Sequence, residues 1–493
     1  MEHSIVLHVL LQEVQRLYYK IHDALIPVRW WLADRSKNTQ QKTNIAVLDG
    51  VRAIACLVVM SYHISLIGND THLWDPFSPS HPLFGAVVYA GAMGVTLFFV
   101  LSGFLLFMPY AKALLSEKAN WPLARSFYLR RAFRIIPAYY VCLFLLVFLS
   151  HTEYLQPAHW ADLGLFLAFF MESGPSTYQK INGPFWTLGV EWQFYMLLPL
   201  LALGMIFLVR RVSRYGSTER RLWSVICCLT GMIAWGLFTR IWRNYFFTHP
   251  AETFLVPRPV MDGVLFFVHG MYGKFLEDFT IGMLISLLFI YSQKAPAESA
   301  FKRHTLRLSP RLWAAGILLL VTMAIWRFSA GHPWPFLQPL LSSYFWLGEL
   351  GFSLGFGLCI FALLFGDSTA LKRPFEWLPL RWIGLISFSL YMWHLPLLFF
   401  FRYNIANHLQ GWNPALAFSL YWLWAFLVII PFSALSYLLI EKPGMVLGEK
   451  LRQRLERKRV GLQQQSAHKG RTIGINLRYG EAAEVGSRPT HVS

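Results

Sequence analysis

Two ionisable side chains, Arg52 and His63, lie inside a long apolar stretch at 47–68. Eleven helical steps of about 100° bring His63 round to within roughly 20° of Arg52, about 16 Å further along the axis. Charge at membrane depth costs a few kcal/mol or more, so such residues normally face a protein interior or a wet cavity. The spacing therefore predicts two functional groups on one helix face. The alternatives are that Arg52 snorkels to the surface beside Asp49 and that His63 only joins two helices.

A carboxylate lies at a similar predicted depth in another apolar segment. Glu191 falls one to two turns inside the outer boundary of the segment that begins near residue 186. Together with His63 it could form a general acid–base pair, with hydrogen bonding between helices as the alternative. A further histidine, His394, precedes Pro396 near mid-membrane, where we expect a packing role rather than catalysis.

Arginines cluster at the predicted inner mouth of the third apolar segment, in the run YLRRAFRIIPAYY. Arg131 and Arg134 follow Arg130 there, and guanidinium groups bind phosphate oxygens in a bidentate manner. The cluster is typical of a site for a phosphate-bearing cytoplasmic ligand. Anchoring by the positive-inside rule is the competing interpretation.

The composition is that of a membrane protein. The 493 residues are 55% hydrophobic and only 14% charged, with a mean hydropathy of +0.43, whereas soluble domains carry about 25% charged residues. The net charge of +18 comes from short basic runs between apolar segments. This distribution indicates that the basic residues set the membrane topology and do not form a nucleic-acid-binding surface. The five cysteines fall in apolar segments without metal-ligand spacing, so we expect no metal site and no disulfide framework.

Ten segments are long and apolar enough to cross a bilayer. They are 47–68, 84–108, 133–150, 186–208, 223–239, 275–291, 312–328, 340–366, 383–402 and 415–440. The loops on one side, with both termini, carry 36 Lys and Arg residues against 7 on the other, which predicts cytoplasmic termini. The fold class predicted is thus all-α, a polytopic membrane protein with about ten helices in one bundle. An apolar piece at 161–171 is too short to cross and is expected to be interfacial or re-entrant.

Three regions follow from this pattern. Residues 1–45 contain a helical apolar repeat with charges between, as in an amphipathic helix on the inner membrane surface. Residues 46–442 form the transmembrane domain. Residues 443–493 are basic and lack apolar periodicity, so we expect a disordered cytoplasmic tail.

The ordered set of these segments resembles the acyltransferase-3 family of membrane O-acyltransferases. Arg52 and His63, with ten residues between them, are similar to its first-helix signature, and GVTLFFVLSGFLL is similar to its second helix. Arg131 and Arg134 match its Arg-x-x-Arg signature, FWTLGVEWQFYMLLPLL its glutamate segment, and ISFSLYMWHLPLL and IEKP its last helices. The similarity covers about 48–443. Two departures stand out: Gly189 replaces a serine and Trp192 replaces a second glutamate.

This resemblance implies a multi-pass plasma-membrane enzyme that moves an acyl group, most simply acetyl, from cytoplasmic acyl-CoA to a hydroxyl of an extracytoplasmic or lipid-linked glycan. Arg52, Arg131 and Arg134 would bind the CoA donor. His63 would act as general base or transient acyl carrier, with Glu191 orienting or charging it. The implied partners are membrane lipids, acyl-CoA and a glycan acceptor, with no metal and no nucleic acid.

Two other classes stay open at this stage. A proton-coupled transporter would use the same intramembrane arginine, histidine and glutamate as a relay. A glycosyltransferase acting on lipid-linked sugars would need acidic residues in the first outer loop, where Asp70 and Asp75 lie.

Overall fold

The computed structural model describes residues 43–77, 81–116, 120–212, 217–249, 252, 256–296, 298–331, 347–409 and 411–457. The predicted amphipathic segment at 1–45 and most of the predicted tail at 443–493 lie outside these ranges. "Inner" and "outer" below refer to the orientation predicted from the loop charges.

The described residues fold as a bundle of α-helices. In chain order they are α1 Thr43–Asp70, α2 Pro82–Leu114, α3 Ala124–Leu149, α4 Trp160–Leu167, α5 Phe185–Val212, α6 Thr218–Thr248, α7 Arg258–Val268, α8 Leu276–Lys294, α9 Ala300–Gly331, α10 Leu347–Phe365, α11 Thr369–Glu376, α12 Leu378–Leu385, α13 Ser387–Asn404 and α14 Pro414–Arg457. No strand occurs within the described ranges. This all-α class is the one predicted from the sequence.

The predicted membrane spans correspond to helices in the structure. Nine of the described helices are long and apolar enough to cross a membrane, and α12 with α13, which meet at a bend of 76°, make a tenth if the bent pair counts as one span. The bent pair matches the predicted span at 383–402. The short apolar piece at 161–171 contributes only the eight-residue helix α4 to the outer loop, which is too short to cross.

The close contact of α2 with α8 depends on glycine. A side-chain carbon at Gly103 would lie 2.0 Å from the carbonyl oxygen of Phe279, and one at Gly282 would lie 1.9 Å from that of Val100. Only glycine lets the two backbones approach this closely. Phe99 and Phe104, both buried, fill the space beside this contact. These two glycines thus let α2 pack directly against α8.

Helix α1 lies at the centre of the site region. It packs against α2 on one side and against α12 and α13 on the other. Its first turns meet the bent pair so closely that a side-chain carbon at Gly384 would lie 1.8 Å from the carbonyl oxygen of Asp49. This contact brings the ionisable residues of α1 next to the first turns of α13.

Gly189 and Trp192, the two departures from the resemblance described above, both pack against the outer loop. A side-chain carbon at Gly189 would lie 2.4 Å from a carboxylate oxygen of Glu172, which comes from the outer loop. Trp192 stacks on Phe169 of the same loop, with ring centroids 4.9 Å apart. The Glu172 carboxylate also accepts a hydrogen bond of 2.7 Å from Gln193. Gly189, Trp192 and Gln193 of α5 therefore all contact the outer loop.

A buried ion pair ties the outer loop to the start of α8. Lys274 Nζ lies 2.5 Å from the Glu172 carboxylate, and Glu172 is only 2% exposed. Lys274 also donates to the hydroxyl of Ser173 at 2.9 Å. Burial lowers the pKa of Lys274, and the neighbouring carboxylate opposes that shift. The Lys274–Glu172 pair thus holds the outer loop against the outer end of the bundle.

Candidate active site

Three arginines line a small inner pocket in the bundle. Arg52 comes from α1, whereas Arg131 and Arg134 come from α3, and the pocket volume is about 90 Å³. Glu191 of α5 is the one carboxylate among the pocket-lining residues. The lining therefore carries an excess of positive charge in a low-dielectric environment, which favours an anionic ligand.

The arginines differ in how far the protein satisfies them. Arg134 lies 3.8 Å from Glu441 of α14, and Glu441 is held by a hydrogen bond of 3.0 Å from Ser389. The Nε atom of Arg131 is buried and has no hydrogen-bond partner among the residues that the structure describes. An unpaired buried donor costs about 1–3 kcal/mol, so Arg131 offers a bond that a ligand oxygen can satisfy.

The structure places Glu191 with the arginines and not with His63. Its carboxylate accepts a hydrogen bond of 2.6 Å from Ser102 on α2, which is itself 3.5 Å from the hydroxyl of Tyr195. The pairing of Glu191 with His63 that depth alone suggested is therefore not seen. The physical reason is that α2 and the arginines occupy the space on the side of α5 to which Glu191 points, and they provide its hydrogen bond and its counter-charges.

A much larger cavity of about 1120 Å³ occupies the outer half of the bundle. His63 of α1 is part of its wall, together with residues of α2, α3, α10, α13 and the outer loop. Asn182 of the outer loop also lines it; its amide nitrogen donates to the carbonyl of Met392, while its amide oxygen is buried without a partner. This oxygen is an acceptor positioned for a ligand hydroxyl.

His63 and His394 form a hydrogen-bonded pair at the inner end of this cavity. The Nδ1 atom of His63 lies 3.0 Å from Nε2 of His394. The Nδ1 atom of His394 lies 2.7 Å from the carbonyl oxygen of Tyr391 and 3.2 Å from that of Leu390. A carbonyl oxygen only accepts, so in the neutral pair Nδ1 of His394 carries the proton and its Nε2 is the acceptor. His63 then donates from Nδ1 and keeps a lone pair on Nε2.

A thin partition separates the two cavities. Tyr391 and Val95 line both of them. The Tyr391 hydroxyl receives a hydrogen bond of 2.9 Å from Thr187, and its ring packs edge-on against Phe98 at 5.7 Å between centroids. The arginine pocket and the histidine pair are therefore neighbours across one layer of side chains.

No group of three or more His, Cys, Asp or Glu side chains that could hold a metal occurs in the part of the chain that the structure describes.

Several site residues were not identified from the sequence. His394 was expected to pack, and its contact with His63 joins residues 331 positions apart. Glu441 is only 1% exposed and stands in a π-helical turn, Tyr437–Glu441, which turns its carboxylate toward Arg134. A lone acid at the end of an apolar span was the available signal for Glu441. Nothing in the sequence around Thr187 and Asn182 indicated a role in the site.

Several known proteins are similar in sequence to this chain. The chain is similar to the peptidoglycan O-acetyltransferase OatA of Listeria monocytogenes, with 24% identity over 71% of this chain and 49% of that protein. It is also similar to the putative peptidoglycan O-acetyltransferase YrhL of Bacillus subtilis, with 25% identity over 73% of this chain and 49% of that protein. A putative O-acetyltransferase of Staphylococcus aureus is 21% identical over 80% of this chain and 56% of its own length.

The chain spans about half the length of these curated relatives. No solved structure matches it. The family model of the acyltransferase domain, however, matches residues 45–441, which is most of the chain and includes every site residue described above. The chain therefore belongs to the acyltransferase-3 family, as the order of its motifs predicted.

Proposed function

We propose that this protein is an integral-membrane O-acetyltransferase that takes acetyl from cytoplasmic acetyl-CoA and places it on a hydroxyl of an extracytoplasmic glycan. The observation that carries the proposal is the juxtaposition at Tyr391, which lines both the arginine pocket and the cavity that contains His63. A donor with phosphates and an acceptor with a hydroxyl need these two environments on opposite sides of one reaction centre. The relatives' names support acetyl as the transferred group and a cell-wall glycan as the acceptor.

The donor would bind from the inner side. Arg52, Arg131 and Arg134 would contact the phosphates of acetyl-CoA, because guanidinium groups form charge-assisted bonds to phosphate oxygens. The unpartnered Nε of Arg131 gives one of these bonds a defined donor atom. Glu191 would hold the arginines apart and oriented before the donor arrives, while its bond from Ser102 fixes its own position.

The acceptor would bind in the outer cavity, where Asn182 offers an acceptor oxygen to a sugar hydroxyl. His63 would take the hydroxyl proton on its Nε2 atom as the oxygen attacks the thioester carbonyl. Collapse of the tetrahedral intermediate breaks the carbon–sulfur bond, and the CoA thiolate recovers the proton as it leaves. The products are the acetyl ester and free CoA, so the step needs no other reactant.

His394 would act as a positioning residue for this step. Its Nε2 atom receives the Nδ1 proton of His63, which holds the His63 lone pair on Nε2. The carbonyl of Tyr391 in turn fixes the His394 tautomer. This is the role that an orienting acceptor has beside a catalytic histidine.

The test is transfer of radiolabelled acetyl from acetyl-CoA to envelope glycan by the purified protein with isolated membranes. The proposal expects label in base-labile esters of glycan, and loss of at least a hundredfold in the His63→Ala variant with unchanged affinity for CoA. Label that never leaves acetyl-CoA in well-folded protein would contradict the proposal. Proton-coupled solute uptake by such a protein would favour the transporter class instead.

A further inference from the structure

The outer cavity reaches the lipid-facing surface of the bundle. Its wall includes Leu145 and Leu149 near the outer end of α3, and Phe400 and Phe432 of α13 and α14. All four belong to membrane-spanning helices, yet Leu149 is 76% exposed and Phe400 is 54% exposed. Exposure on the side of a membrane span means contact with lipid chains. The cavity that contains His63 is therefore open sideways to the bilayer.

The opening is confined to the outer half of the bundle. At the inner level α3 is joined to α14 by the approach of Arg134 to Glu441. From that pair, eleven residues along α3 lead to Leu145, and nine residues back along the antiparallel α14 lead to Phe432, a rise of about 14–16 Å on each helix. At that level both side chains line the cavity. The two helices thus approach each other at the inner end, whereas in the outer leaflet both Leu145 and Phe432 line the cavity, and this part of the cavity is called the gap below.

The chemistry of the cavity changes along this route. The inner end carries the polar groups of His63 and Asn182, whereas the gap is lined by leucine and phenylalanine. Two cations, Arg402 and Lys180, lie at the outer edge of the same cavity, and Arg402 is 3.8 Å from Asp70. An amphiphile with a polar hydroxylated head, an anionic linker and a hydrocarbon chain has one chemical group for each of these three regions.

We propose that the acceptor is a saccharide attached to a membrane lipid through a phosphate, and that it enters from the outer leaflet between α3 and the α13–α14 pair. Its sugar hydroxyl lies at His63, its phosphate at Arg402 and Lys180, and its hydrocarbon chain passes Leu145 and Phe432 into the bilayer. This inference rests on the proposed function and names the class of acceptor. A water-soluble glycan needs no apolar gap, because it can reach the cavity from the outer surface.

The test follows the label from acetyl-CoA into fractions of isolated envelope membranes. After short incubation with the purified protein, lipids are extracted into butanol and separated from soluble and lipid-free polymeric glycan. The inference expects His63-dependent label first in the butanol fraction, released to water by mild acid that cleaves sugar–phosphate bonds. His63-dependent label found only in soluble or polymeric glycan would overturn the inference and leave the proposed function standing. Absence of His63-dependent label from every fraction would overturn both.

A variant that narrows the gap tests the route. Leu145→Trp places a larger ring in the opening, and Leu423→Trp makes the same change at a leucine of α14 that is similarly exposed, 49% against 42%, and does not line the cavity. We expect Leu145→Trp to lower transfer to the butanol fraction at least tenfold, and Leu423→Trp to lower it less than twofold. CoA affinity should be unchanged in both, which shows that the fold is intact. Full transfer by Leu145→Trp would refute lateral entry.

Discussion

The contact between His63 and His394 makes a sharp prediction for His394→Phe. Phenylalanine keeps the ring volume but removes the Nε2 acceptor that lies 3.0 Å from Nδ1 of His63. The Nδ1 proton of His63 then loses its hydrogen bond to His394, which costs about 1–3 kcal/mol. If that cost falls on the orientation needed in the transition state, turnover drops about 5- to 150-fold, because each 1.4 kcal/mol is a factor of ten.

Glutamine at the same position distinguishes hydrogen bonding from packing. Its amide oxygen can accept the proton from Nδ1 of His63, so His394→Gln should retain turnover to within about tenfold of the wild type. The control is His304→Phe, which changes an exposed histidine of α9 and should have no effect.

The assay is acetyl transfer to membrane glycan under saturating acceptor, with kcat and KM for acetyl-CoA measured for each variant at matched protein levels. We expect the loss in His394→Phe to appear in kcat while KM is unchanged, since His394 lies outside the arginine pocket. Equal turnover by the phenylalanine and glutamine variants, or full turnover by His394→Phe, would refute the positioning role.

Three further predictions concern the arginine pocket, the partition between the two cavities and the ion pair of the outer loop. Arg131→Ala should weaken CoA binding by about 1.5–3 kcal/mol in calorimetry, and Arg131→Lys should recover only part of that loss. Arg130→Ala, which changes an exposed arginine one residue away, should leave CoA binding unchanged. Equal losses at both positions would mean that the arginine cluster serves membrane topology and not CoA binding. Phe98→Ala should remove one side of the partition at Tyr391 and raise turnover with butyryl-CoA relative to acetyl-CoA; an unchanged ratio would show that the partition does not limit the acyl chain. Lys274→Met should leave the buried Glu172 carboxylate without its counter-charge and destabilise the protein by about 3–5 kcal/mol in unfolding measurements. The double variant Lys274→Met, Glu172→Gln should recover part of this stability, and a double variant no more stable than Lys274→Met would contradict the prediction.

The sequence was sufficient for the bundle because each span carries its own signal. Length and hydropathy located the nine long apolar helices and the bent pair of α12 and α13, but they did not predict the sharp bend before Ser387. The close approach of α2 to α8 depends on Gly103 and Gly282, and nothing in either segment identifies the other as its partner. Local signals of this kind describe an element and leave open which elements touch.

The site could be predicted only in part for the same reason. The placement of Arg52 and His63 at two depths of α1 agrees with helical geometry, and the structure puts them in two cavities. The partner of His63 depends on how α1 packs against α13, which no local pattern encodes. Similar predicted depth therefore indicated Glu191 as the partner of His63, although His394 makes the contact. The location of Glu191 among the arginines depends in turn on the packing of α5 against α2.

The most direct test of the account is acetyl transfer across a sealed membrane. The protein is reconstituted in liposomes in one orientation, labelled acetyl-CoA is supplied on the face that carries Arg131, and envelope lipids bearing saccharide supply the acceptor on the opposite face. The account predicts labelled ester on the opposite face, lost at least a hundredfold in His63→Ala, and little product when acetyl-CoA is supplied on the His63 side. Equal product from both faces, or full product from His63→Ala, would contradict it.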